Sequence, residues 1–169
     1  EYCRHKGLDL KLSDNDYEAT LRYYGKRAAE MFRIWEDEFG GKDRLVRILA
    51  AQTVNPWTGT TAMDSDDAYK SADAIAIAPY FGNDLGDPKK AAETEKMTVE
   101  EVLAFCDESS AANVKHVKKY AEEAKKRGLR LFAYEGGQHL VGHGGAENNP
   151  KLEKLFQAAN RSPKMRDVY

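Results

Sequence analysis

Three short apolar runs, separated by stretches of helical periodicity, limit the folds open to this chain more than any other feature. The runs occupy residues 44–52, 73–80 and 129–134. Leu21, Tyr24, Ala28, Met31 and Trp35 recur at spacings of three and four in residues 17–39. Val114, Val117, Tyr120, Ala121 and Ala124 gather on one side of residues 111–127, and Leu152, Leu155, Phe156 and Ala159 follow Asn149-Pro150. Such spacing puts one apolar stripe on each helix. Gly40-Gly41 and Gly128 stop two helices, Thr98 to Glu101 has the spacing of a capping box, and Asn149-Pro150 sets an N-cap before a proline. Residues 1–13 read as irregular, 60–71 as a short helix and 82–96 as a long loop. The order helix, strand, helix, strand, helix pair, strand, helix calls for a parallel sheet with right-handed crossovers.

The connections are lopsided. Those entering the strands are short and glycine-marked, at Gly40-Gly41 and Gly128, whereas those leaving them are long, polar or glycine-rich. Elaboration at one end only is the pattern of a (β/α)8 barrel, whose functional loops all follow the strands. Such a barrel needs about 250 residues, and this chain has 169. The expectation is a single α/β domain over residues 1–169: a partial (β/α)8 (TIM) barrel of about three βα units plus a leading helix.

The third run ends in the most informative residues. Leu131, Phe132, Ala133 and Tyr134 read as a strand buried on both faces, followed at once by Glu135-Gly136-Gly137-Gln138-His139. A carboxylate is costly to bury unless paired or used. The glycines let the backbone turn sharply and approach a ligand. A carboxylate at the carboxyl end of a parallel strand is where α/β enzymes keep catalytic groups. Tyr80, ending the neighbouring strand, could donate its hydroxyl to Glu135, and Gln52, ending the first, could donate an amide to Glu135 or to substrate. Trp57, in an Asn-Pro-Trp-Thr-Gly loop at the same end, offers an indole face to a sugar; the plain alternative is a loop anchor. Trp35, inside the helical stripe, reads as core.

Several chemistries are set aside. Net charge is −2, so nothing electrostatic favours nucleic acid or anionic membrane as a partner. No apolar run approaches the roughly 18 residues that span a bilayer. Cys3 and Cys106 are too few for a disulfide framework; whether they pair stays open, and so does the compartment on that ground. The chain starts at Glu1 rather than Met, which reads as a processed product or a piece of something longer. Glu135, His139 and His143 have helical metal-ligand spacing, but the surrounding glycines argue against a helix there, so no metal and no cofactor is expected. Asp64, Asp66 and Asp67 lack the spacing of a calcium loop, and no glycine-rich phosphate fingerprint follows a strand.

Tyr24-Gly25-Lys26-Arg27, Phe32-Arg33-Ile34-Trp35, residues 44–52, Ile77-Ala78-Pro79-Tyr80-Phe81-Gly82 and Tyr134 to His139 together resemble the second half of bacterial cellulose-binding or glycoside-hydrolase-like proteins, which are similar to the clan A glycoside hydrolases. The resemblance runs from about residue 17 to residue 160. It implies that the three strands are the fifth, sixth and seventh of a barrel and that Glu135 is the nucleophile of a retaining mechanism. From their places at the same strand ends, Tyr80 is its expected catalytic partner and Gln52, Trp57, Gln138 and His139 are expected to contact substrate, with loop ordering the alternative for His139. Retention needs a second carboxyl group about 5 Å from the first. In that family it follows an asparagine at the end of the fourth strand, and no Asn-Glu pair precedes the first helix here. The resemblance therefore implies an oligo- or polysaccharide partner, an isolated chain without activity, self-association through open barrel edges, and a secreted or periplasmic setting. A non-catalytic carbohydrate-binding protein and a small flavodoxin-like domain are the two alternatives.

Overall fold

The protein is described here from a computed structural model covering residues 1–169. It is 59% helical, with five short strands in two small parallel sheets that do not close. The expected partial barrel is therefore absent. The strands are too short and too few to wrap, and most of the chain is helix. The elements are α1 (Tyr2–Asp9), α2 (Asp16–Phe39), β1 (Ile48–Ala50), α3 (Pro56–Asp64), β2 (Ala74–Ile77), β3 (Tyr80–Phe81), α4 (Ala91–Thr94), α5 (Val99–Lys126), β4 (Arg130–Ala133), β5 (Gly137–Gln138), α6 (Pro150–Arg161) and α7 (Met165–Val168). The residues fall into two compact units, one of Glu1–Ala78 and His116–Tyr134, the other of Pro79–Lys115 and Glu135–Tyr169.

The first unit holds a parallel sheet in the order β1-β2-β4. Ile48 lies beside Ala74, and Ala74 beside Arg130, which sets the register of all three strands. Leu49, Ile75 and Ile77 point into a core built with Ala28, Ala29, Met63, Tyr120 and Ala124, and Leu131 packs against it. Ile48, Ala50 and Phe132 point the other way and are exposed. The strand read as buried on both faces is thus covered on one face only, because no helix of this unit lies over the second.

Helix α2 begins where Asn15 Oδ1 accepts from the Glu18 amide at 2.9 Å and ends at Gly40, whose φ of 69° is left-handed. Its stripe is only half realised. Tyr23, Ala28 and Ala29 are buried, but Met31 and Trp35 are 50% and 51% exposed. At 24 residues the helix runs about 36 Å, while strands of three or four residues extend roughly 10–13 Å. Ala28, Ala29 and Phe32 carry the contact with the sheet core in the helix's second half, and Met31 and Trp35 lie to one side of that line, so Trp35 is not core. Gly25 marks a close crossing with α3: a Cβ there would stand 2.1 Å from the Ala62 carbonyl oxygen.

One ion network ties the amino ends of β1 and β2 to α2, and a second ties the end of α5 to the end of α3. The Arg47 guanidinium pairs with Asp73 at 2.8 Å and with Glu36. The Arg47 hydrogen bond is the main force holding the Asp73 carboxyl down at about 2, and the Asp73 bond raises Arg47 above its usual value. Glu123, 8% exposed, accepts from Lys126 and Arg127, each at 2.8 Å, and these bonds hold its carboxyl at about 2. Arg127 also grips Asp64 through two bonds of 2.7 Å.

The second unit is built on the parallel ladder β3–β5, with Tyr80 beside Gly137 and Phe81 beside Gln138. Its core gathers Phe81, Leu85, Val102, Leu103, Cys106, Leu152 and Phe156. The capping box is formed: the Thr98 amide donates to Glu101 Oε2 at 2.7 Å and the Glu101 amide to Thr98 Oγ1 at 3.2 Å. Asn149 Oδ1 accepts from Lys151 and Leu152 ahead of Pro150. The expected helix pair over residues 98–127 is one continuous helix, α5. Residues 1–13 hold α1, and residues 82–96 hold a 3-10 turn and α4. Cys3 and Cys106 are free thiols, and burial pushes Cys106 up to about 11.

Candidate functional site

In parallel α/β sheets, ligands are bound beyond the carboxyl ends of the strands, and that end of the first unit carries a cluster of aromatic side chains. Gln52 follows β1 by two residues. Tyr17 stands in the first turn of α2, a helix that runs back along the strands and so starts at their carboxyl end. Trp57 is the second residue of α3. The Tyr17 hydroxyl donates to Gln52 Oε1 at 3.1 Å, and the Tyr17 and Trp57 rings lie 5.9 Å apart, tilted by 41°. Both rings are exposed, at 45% and 44%. One indole and one phenol face open to solvent, with a neutral amide held by the phenol hydroxyl, can stack on a sugar ring and hydrogen-bond its hydroxyls.

Two further tyrosines hold the segment beneath the site. The fully buried Tyr120 hydroxyl donates to the Gln52 carbonyl at 2.7 Å. The Tyr24 hydroxyl accepts from the Ala50 amide at 2.8 Å. The Ala51 amide goes to Ala76 of β2, so Tyr24 satisfies a donor on the free edge of β1. Burial raises the pKa of both phenols, and nearby Tyr134 raises them further. Tyr134 itself is 56% exposed. The Thr53 hydroxyl, beside Gln52, is buried without a hydrogen-bond partner.

Behind this rim lies a groove of about 420 Å³ along the uncovered face of the sheet, lined by Ile48, Ala50, Ala76, Phe132, Ala133 and Tyr134. No charged side chain lines it. Arg130 is on β4, with its guanidinium 4.9 Å from the centre of the Phe132 ring.

The other residues expected to act belong to the second unit. Glu135 stands exposed in the bend after β4. The Tyr80 ring meets His139 edge-on at 5.4 Å, and Asn113 donates to the Tyr80 carbonyl at 2.6 Å. The His139 amide donates to Phe81, and its Nδ1 is buried without a partner. Gln138 is engaged in its own loop: its Oε1 accepts from the Leu140 amide at 2.7 Å, and its amide donates to the Tyr169 hydroxyl at 3.1 Å. Gly137 sits at φ 113°, a backbone conformation that residues with a side chain rarely adopt.

The structure thus brings Gln52 and Trp57 together in one unit, and Tyr80 and His139 together in the other. Tyr17, Tyr24 and Tyr120 were not singled out from the sequence as site residues. The signal for Tyr17 was the Asn15 cap, which places it at the start of a helix that leads into β1. No group of three or more His, Cys, Asp or Glu side chains is arranged to hold a metal ion, and no helix is long and apolar enough to cross a membrane. Comparison with protein-family models, with curated proteins and with solved structures finds no match to this chain.

Proposed function

We propose that this chain recognises carbohydrate, through Tyr17, Trp57 and Gln52 at the carboxyl end of the first unit's sheet. The observation that carries this reading is the exposed Tyr17–Trp57 ring pair with the Gln52 amide fixed by the Tyr17 hydroxyl. Exposed rings of this kind give up solvent readily to an apolar sugar face, while the amide remains a donor toward hydroxyls. The partner class is oligo- or polysaccharide. Hydrolysis is the second reading, favoured by the placing of Glu135 directly after β4; Glu135 would be the nucleophile, with the acid/base group supplied from outside this chain.

The two readings separate by substitution. In a Trp35→Phe background, which leaves Trp57 as the only indole, oligosaccharide titration should quench or shift the emission. Trp57→Ala should weaken binding about tenfold, the scale of one aromatic stacking contact. Glu135→Gln should leave the affinity unchanged. Unchanged affinity on replacing both Trp57 and Tyr17 by alanine would overturn the binding reading. Turnover of an aryl glycoside that Glu135→Gln abolishes would establish the hydrolytic one.

A further inference from the structure

The groove beside the proposed sugar platform asks for a different chemistry from the platform itself. Its lining is one isoleucine, three alanines, a phenylalanine and a tyrosine. A parallel sheet normally has both faces covered, so this apolar face is set to lose its water to something. The Tyr24 hydroxyl accepts from the Ala50 amide at 2.8 Å, so the phenol beneath the rim meets the edge strand that lines the groove. Ala50 lines the groove and is two residues from Gln52. The apolar groove and the polar, aromatic rim are therefore one continuous surface.

Size decides what fits. Three strands about 4.8 Å apart and about four residues long present a flat area of roughly 200 Å². A stable interface between two proteins takes about 800 Å² from each partner, so even generous allowance for relief leaves a second copy short of anchorage. A volume of about 420 Å³ falls instead in the range of small-molecule pockets, roughly 300–1,000 Å³. We infer that the ligand is a glycoside carrying an apolar aglycone, an alkyl or aryl group lying along Ile48, Ala50 and Phe132 while the sugar rests on Tyr17 and Trp57. This inference rests on the carbohydrate reading above and adds the nature of the group linked to the sugar.

The test compares methyl and octyl β-glycosides of glucose, galactose and xylose by calorimetry on the full chain, with the octyl compounds below their micelle concentrations. Octyl tetraethylene glycol serves as the sugar-free amphiphile. A buried methylene contributes about fourfold in affinity. Seven extra methylenes, each about half buried, should make at least one octyl glycoside bind on the order of 10²-fold tighter than its methyl counterpart. Phe132→Ser should remove most of that advantage and leave methyl glycoside binding intact. Ala133→Asp, at another exposed groove position, is the second variant if Phe132→Ser lowers stability. Trp57→Ala should weaken both compounds by the same factor. Equal affinity for methyl and octyl glycosides would overturn the inference and leave the carbohydrate reading standing. Equal binding of octyl tetraethylene glycol, unaffected by Trp57→Ala, would overturn both, as would no binding at all. A dimer in light scattering that Phe132→Ser dissolves would overturn the inference by giving the groove to a second copy.

Discussion

The side chains that matter most are those whose polar atoms have unusual partners, or none. The Thr53 hydroxyl is the plainest case: Thr53 is 5% exposed and its Oγ1 has no hydrogen-bond partner. A buried hydroxyl without a bond costs about 1–3 kcal/mol relative to a satisfied one. Valine has nearly the same shape and no such need. Thr53→Val should therefore be neutral or stabilise by up to about 1 kcal/mol in urea unfolding; a loss larger than that would show that the hydroxyl is in use. Tyr24 is the opposite case, a phenol whose oxygen covers the Ala50 amide on an open strand edge. Tyr24→Phe keeps the ring and removes the acceptor, and should cost about 1 kcal/mol.

Among the elements, local signals were legible where a single residue type has one physical use. Asn149-Pro150, Thr98 with Glu101, and Gly40 each end or start a helix as their chemistry requires. Asn149→Ala should cost about 1 kcal/mol in thermal unfolding, since it leaves the Lys151 and Leu152 amides without their acceptor. Periodicity misled in two places, for the same reason. It marks a face that is able to be buried, and burial then depends on what lies opposite. Trp35 has the right spacing but lies to one side of the Ala28, Ala29 and Phe32 contacts, and Phe132 has a strand's composition but no helix over it. Trp35→Glu should accordingly change stability by no more than about 0.5 kcal/mol. The barrel expectation failed on a related point: lopsided loops are shared by any parallel α/β unit and do not count its strands. The Gln52–Trp57 pairing was half legible, because both residues follow β1, whereas Tyr17 is distant in sequence and reaches them only through the fold.

For the molecule as a whole, acid is the condition to which the ion networks are most sensitive. Asp73 and Glu123 are both held at about 2 by their cationic partners, against roughly 4 for carboxyls in an unfolded chain. Carboxyls depressed in this way add stability that is complete above the unfolded value and is lost as pH falls through the folded one. Denaturant midpoints should hold steady from neutral pH to about 5 and then decline toward about 2. Asp73→Asn should flatten part of that decline; an unchanged slope would show that the Arg47 network is not its source. The division of the chain sets a further condition, on the order of events during synthesis. Each compact unit is assembled from two separate stretches, 1–78 with 116–134 and 79–115 with 135–169. A nascent chain released at residue 115 would hold all of α2 and β2 yet lack Tyr120 and Leu131 for its first core. Neither unit is finished until its later stretch leaves the ribosome, so residues 1–115 do not make an independent half, and translation must pass residue 134 before either unit can close.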